Sequence, residues 1–335
     1  MSIESKVVNA INNIESDITD LQAHPFKDKW VSILGDSIST FKNYCHVDSS
    51  LDEESAYEYY GSTSPGHPED DDVDTVEKTW WHQLLTKLGA KLCVNASVGG
   101  ITATLIENQP SSSLQPAQRR IGNLSRKANE DYVELDGTIT TATANQKPDY
   151  VLIMLGANDY ISGQELGNCD EYKAVVNGSE EEDANEDANE YGITINPANP
   201  NKMTYIGAIG RILFHCNVLG IVPILVVPPW YYASDSHGPQ HHPIHKIKTK
   251  KIYSGGVATT TDIVKPYSQT EMHKALFDIA RIYSANIIDI DTINIPACSD
   301  KYLNYITGHV HPKANYMKAI ADKCYKSMIN MSFVE

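Results

Sequence analysis

Val31-Ser32-Ile33-Leu34-Gly35-Asp36-Ser37-Ile38-Ser39 is the stretch that decides the fold of this chain. Four mostly apolar, strand-favouring residues run into Gly35-Asp36-Ser37. A short apolar run that stops at a Gly predicts a buried strand ending in a tight turn. Ser37 then stands at the carboxyl end of a strand, where open α/β sheets place their ligands.

Outward from this turn, strand-like and helix-like stretches alternate. Thr79–Gly89 reads as a helix with a Gly stop. Lys91–Asn95 reads as a second strand, running toward Gly99-Gly100. A helical patch near Gln118–Lys127 and a Thr-rich segment at 138–143 precede a third strand, Tyr150–Leu155, which ends at Gly156-Ala157-Asn158-Asp159. A helix over Thr204–Val218 leads to a fourth strand, Ile221–Val227, and then to a polar loop over 231–265. A helix near Glu271–Tyr283, a fifth strand at Ile287–Ile290 and a helix over Ala314–Met328 complete the pattern. Strands alternating with helices imply a parallel sheet covered on both faces, a three-layer α/β/α domain with loop insertions.

The first 25 residues stand apart. Ile3, Val7, Ile11, Ile14, Ile18 and Leu21 are spaced as a heptad-like seam, and the helix stops at His24-Pro25. Two readings stay open: a helix that oligomerises the chain through residues 3–21, or an amphipathic helix packed on the rest of its own domain, residues 26–335. The N-terminal residues are polar and carry no apolar core of a secretory signal, and no apolar run is long enough for a membrane helix. A cytoplasmic or virion-associated protein without a membrane partner is expected.

The formal net charge of −16 is local. Residues 52–77 carry −10 and residues 165–190 carry −9, which leaves +3 on the remainder. The scaffold is near neutral and two acidic insertions hold the excess, so a nucleic-acid partner, which needs a basic track, is not expected. The 6 cysteines lack CxxC spacing and read as free thiols. His237, His241, His242 and His245 share one loop, but their spacing implies no fixed ligand geometry, and neither metal nor cofactor is expected.

Parallel strands bring their carboxyl ends to one edge, so Gly35-Asp36-Ser37, Gly99-Gly100 and Gly156-Ala157-Asn158-Asp159 should converge there. Acyl transfer needs a nucleophilic hydroxyl, a base, and donors where the oxyanion develops. Ser37 can supply the first and a backbone N–H. Gly100 can supply a second N–H with no side chain in the way, and Asn158 an amide N–H. A base should come from another loop at this edge, and His309-Val310-His311-Pro312 precedes the last helix. Asp36, beside the nucleophile, and Trp230, just past the fourth strand, are candidate substrate-lining residues.

These blocks resemble those of the SGNH (GDSL-type) hydrolase superfamily. Gly35-Asp36-Ser37-Ile38-Ser39 is similar to its first block, Asn95–Thr102 with Gly100 to its second, Gly156-Ala157-Asn158-Asp159 to its third and Val310-His311-Pro312 to its fifth. Residues 76–85 are similar to a subgroup common in gut bacteria and their phages. The resemblance spans about residues 28–330. It implies ester hydrolysis through a covalent acyl-enzyme, without a cofactor. Ser37 is implied as nucleophile, His311 as base, and Ser37 N–H, Gly100 N–H and Asn158 as the oxyanion hole.

The fifth block departs from the family pattern, because Gly308 stands three residues before His311, where the family places an Asp that orients the imidazole. Three explanations stay open: a backbone carbonyl orients His311, another acid such as Asp300 reaches it, or His309 is the base instead. The expected substrate is an acyl ester or acylated glycan, with an O-acetyl group on a polysaccharide as the finer expectation. The competing expectation is a non-catalytic structural or adhesive protein, for example in a phage tail, that keeps the fold.

Overall fold

In the computed structural model, the described residues are 24–46, 59–61, 72–104, 117–167, 204–230, 249–254, 257–262, 267–295, 300–307 and 310–331. The heptad segment 3–21, the four-histidine loop, His309 and most of both acidic insertions lie outside them.

The central sheet has five strands: β1 (Trp30–Gly35), β2 (Lys91–Asn95), β5 (Tyr150–Met154), β6 (Val222–Val226) and β9 (Asn286–Ile288), in the order β2-β1-β5-β6-β9. All of its pairings are parallel. Alternation along β1 divides its side chains between two cores. Val31 and Ile33 pack with Trp80, Trp81 and Met317 on one face, and Leu34 packs with Ile206, Ile209 and Leu276 on the other. The period of two in a pleated strand thus supplies both layers from one short sequence. One layer holds α1 (Trp80–Leu88) and α5 (Ala314–Met328). The other holds α3 (Tyr205–Leu219) and α4 (Gln269–Ile282). The fold is the three-layer α/β/α arrangement.

Helix ends follow local chemistry. Thr79 caps α1 by accepting from His82 N, and Gly89 closes it in the left-handed region at φ 57°. Thr204 and Gly220 do the same for α3, and Ser268 forms a capping box with Glu271 at the start of α4. Pro223 lies inside β6 without breaking the sheet, because β9 pairs only from Ile224 onward.

Two segments differ from expectation. The Thr-rich stretch is half of an antiparallel hairpin, β3 (Asp131–Val133) with β4 (Ile139–Thr141). Asp136-Gly137 is its turn signal, with Gly137 at φ 84° and Asp136 Oδ1 accepting from Thr138 N at 3.0 Å. The region expected as a polar loop over 231–265 contains a second hairpin, β7 (Thr249–Ser254) with β8 (Val257–Asp262). Its two-residue Gly255-Gly256 connection and β-branched Thr259-Thr260-Thr261 favour that pairing over coil. β7 packs against α2 (Ala157–Ser162), the short helix that begins just past β5.

Candidate active site

The Ser37 turn is built by close approach. A Cβ on Gly35 would lie 2.4 Å from Ser39 Oγ, so only Gly lets the chain fold back into the 3-10 turn Ser37–Ser39. Asp36 caps that turn, its Oδ1 accepting from Ile38 N at 3.0 Å. Asn95, the last residue of β2, donates from Nδ2 to Ser39 O at 2.9 Å, and Trp80 Nε1 donates to Ser39 Oγ at 3.3 Å. Thr40 Oγ1 donates to Ser37 O at 2.9 Å. Ser37 is thereby fixed at the end of β1, buried except for a small accessible fraction.

His311 lies in a two-residue bridge, β10 (Ile306–Thr307) with β11 (His311–Pro312), in which Thr307 faces His311. Its Nε2 lies 2.7 Å from Ser37 Oγ, hydrogen-bonded across 274 residues of sequence. The imidazole stacks on Tyr59, with ring centroids 3.5 Å apart and planes 11° from parallel, and meets Tyr60 edge-on at 6.2 Å. No such aromatic contact was read from the sequence. The cluster Tyr57, Tyr59 and Tyr60 inside an otherwise acidic stretch was the signal available.

The other two blocks are tied to the same turn. Val98 N donates to Gly35 O at 3.1 Å, which brings the Gly99-Gly100 turn beside the Ser37 turn. Gly100 itself is exposed and adopts φ 80°. Pairing of Gly35 with Met154 sets the β5 end alongside the β1 end. Gly156, at φ 128°, begins α2 where a Cβ would lie 2.5 Å from Tyr205 Oη. Asn158 is half-buried and donates from Nδ2 to Ile101 O at 3.0 Å. A primary amide has two N–H donors, so this bond leaves one for a ligand. Asp159 was not expected to matter. It is fully buried and accepts from Ala103 N at 2.9 Å, Thr104 N at 3.2 Å and Thr104 Oγ1 at 3.1 Å, pinning the chain just past Gly100.

Asp36 is 1% exposed, so it lies beneath the site and does not line it, which corrects the substrate-lining expectation. Burial raises its carboxyl to about 7, with the neighbouring Asp159 charge adding to the effect. Burial likewise raises Asp159 to about 6, against the hydrogen bonds it accepts from residues 103 and 104. Trp230 is half-buried just beyond β6, stacked on His273 at 4.0 Å, with its carbonyl accepting from Tyr302 Oη at 2.9 Å. His273 Nδ1 in turn lies 2.7 Å from Asp291 Oδ2. Among the described residues, no group of three or more His, Cys, Asp or Glu is arranged to hold a metal ion. No helix among them is long and apolar enough to cross a membrane.

The family model GDSL-like Lipase/Acylhydrolase matches residues 29–181. That span contains Ser37, Gly100 and Asn158 and stops short of His311. No curated protein sequence matches the chain significantly. Among solved structures, the chain is similar to a GDSL-like lipase from Bacteroides ovatus at TM-score 0.53 and 18% identity, covering 91% of this chain and 100% of that one. It is also similar to one from Bacteroides uniformis at TM-score 0.51 and 21% identity, covering 90% and 95%. Likeness at that identity speaks for the fold, while the matched blocks and their meeting at one sheet edge speak for the family. The family match over residues 29–181, on a fold shared with these structures, supports the SGNH (GDSL-type) hydrolase superfamily for this chain.

Proposed function

We propose that the protein is a serine esterase that works through an acyl-enzyme on Ser37. The observation that carries this reading is the 2.7 Å hydrogen bond between His311 Nε2 and Ser37 Oγ. In the proposed cycle, Ser37 Oγ attacks the ester carbonyl while His311 Nε2 takes its proton. The backbone N–H groups of Ser37 and Gly100 and the second amide N–H of Asn158 receive the oxyanion. Collapse expels the alcohol, which takes the proton from His311. Water, deprotonated by the same imidazole, then releases the carboxylic acid and restores Ser37.

The substrate class proposed is an acyl ester, with O-acetyl groups on a polysaccharide as the finer assignment. Its support is the half-buried indole of Trp230 at the end of β6, a flat apolar surface of the kind on which sugar rings dock.

The test compares wild type with Ser37→Ala on p-nitrophenyl acetate, beside labelling by a fluorophosphonate probe. Hydrolysis that disappears with Ser37, and a probe adduct mapped to it, are expected. Equal rates for the two proteins would overturn the proposal and favour a structural protein on the same fold. Asn158→Ala should lower kcat by about 10²- to 10³-fold, the usual effect of losing one oxyanion donor. Acetate release from an acetylated polysaccharide checks the finer assignment.

A further inference from the structure

The excursion between the nucleophile turn and α1 returns to the site at three points. Tyr59, 5% exposed, lays its ring on the His311 imidazole at 3.5 Å. Tyr60 is fully buried and donates from Oη to Pro312 O at 2.9 Å. Asp72 Oδ1 accepts from Ala314 N at 2.6 Å, capping α5 directly after the histidine segment. The same excursion is also fastened to the nucleophile. Tyr59 N donates to Thr40 Oγ1 at 2.8 Å, and that hydroxyl donates to Ser37 O at 2.9 Å. Lys42 N donates to Tyr60 O at 2.9 Å. A single hydroxyl, that of Thr40, thus links the residue carrying the nucleophile to the residue stacked on the base.

We propose that Tyr59 is the positioning residue of the Ser37–His311 pair: its ring holds the imidazole plane while its backbone is anchored through Thr40 to the nucleophile turn. The inference rests on the esterase reading and adds to it what orients the histidine. In a Ser-His-Asp triad a carboxylate does this and also stabilises the imidazolium that forms. A stacked phenol does both by other means. It fixes the ring plane without occupying a ring nitrogen, leaving Nε2 to Ser37. Its negative π-face also attracts the imidazolium more than the neutral ring.

Among the described residues, the polar and titratable groups facing His311 include the Ser37 hydroxyl, the Tyr59 and Tyr60 phenols, and Thr307 across the β10–β11 bridge. The Asp36 carboxyl lies beneath the turn, and Asp72 stands at the start of α5.

The test uses the full chain, p-nitrophenyl acetate and pH–rate profiles for wild type, Tyr59→Leu, Tyr59→Phe and Ser37→Ala, with thermal unfolding as a control. Leu keeps the contact apolar and removes the π-face. Tyr59→Leu is expected to lower kcat about 5- to 30-fold with KM unchanged. The acid limb of kcat/KM should move to lower pH by about half to one and a half units, because the imidazolium loses its stabilising face. Tyr59→Phe, which keeps the ring, should restore both readouts. A folded Tyr59→Leu protein with wild-type kcat and an unmoved acid limb, or one altered only in KM, overturns the proposal while leaving the esterase reading intact. Ser37→Ala activity equal to wild type would overturn both. If Tyr59→Leu does not fold, the near-isosteric Thr40→Val cuts the link between the two residues. Lowered kcat is expected there, and wild-type kcat overturns the proposal.

Discussion

Asp36 shows how far one residue's neighbours change its chemistry. Beside an exposed Ser its carboxylate would be ordinary. Fully buried, and sharing the interior with Asp159, it holds its proton to about pH 7. The sign of the consequence follows. Between about pH 4 and 7 the folded state binds a proton that the unfolded chain has already released, so stability is lost as pH rises through that window. The loss attributable to Asp36 has an upper bound of about 4 kcal/mol. Asp36→Asn keeps an oxygen acceptor for Ile38 N and removes the titration. The variant is expected to lose less stability than wild type between pH 5 and pH 8, measured by calorimetric unfolding at each pH. Parallel profiles for the two proteins would mean that Asp36 is ionised in the fold throughout.

Among the elements, β2 poses the problem of every edge strand, a row of backbone groups open to pairing with another chain. Arg126 covers part of it: Nε donates to Cys93 O at 2.8 Å and Nη2 to Leu92 O at 2.7 Å. The same guanidinium forms a fork with Glu134, through Nη1 to Oε1 at 2.6 Å and Nη2 to Oε2 at 3.0 Å. His46 N donates to Asn95 O at 2.8 Å and covers the strand's last residue. Arg126→Met should cost about 2–3 kcal/mol in urea unfolding, because it takes the guanidinium away from two carbonyls and from the Glu134 carboxylate. It should also increase association at high protein concentration. An unchanged urea midpoint would show that water replaces the guanidinium at no cost.

For the whole molecule, the two cores share one sheet; β1, β2 and β5 end at the same edge of it, where the separate β10–β11 bridge sets His311 against Ser37. The acidic excursion before α1 belongs to that arrangement through Tyr59, Tyr60 and Asp72. Beyond the described residues, the heptad spacing of residues 3–21 predicts self-association. Light scattering of the full chain against a truncated chain starting at Pro25 is expected to show a drop in assembly size. The same number of chains per particle for both would refute the coiled-coil reading.

The fold was legible because its determinants are local. The short apolar runs Val31–Leu34 and Tyr150–Met154, the stops at Gly89 and Gly220, and the Gly35, Gly100 and Gly156 turns each carry their signal within a few residues. The two hairpins were missed for the opposite reason: their turn signals, Asp136-Gly137 and Gly255-Gly256, lie in polar surroundings that resemble coil. The parallel α/β sheet and the meeting of Ser37, Gly100 and Asn158 at one edge follow from the sequence alone, since parallel chain direction carries every strand's carboxyl end to the same side. Only the tertiary structure decided what holds the histidine. Tyr59 and His311 are 252 residues apart, and no periodicity or motif encodes a stacking contact between them. It follows from how the excursion packs back on the nucleophile turn and the β10–β11 bridge.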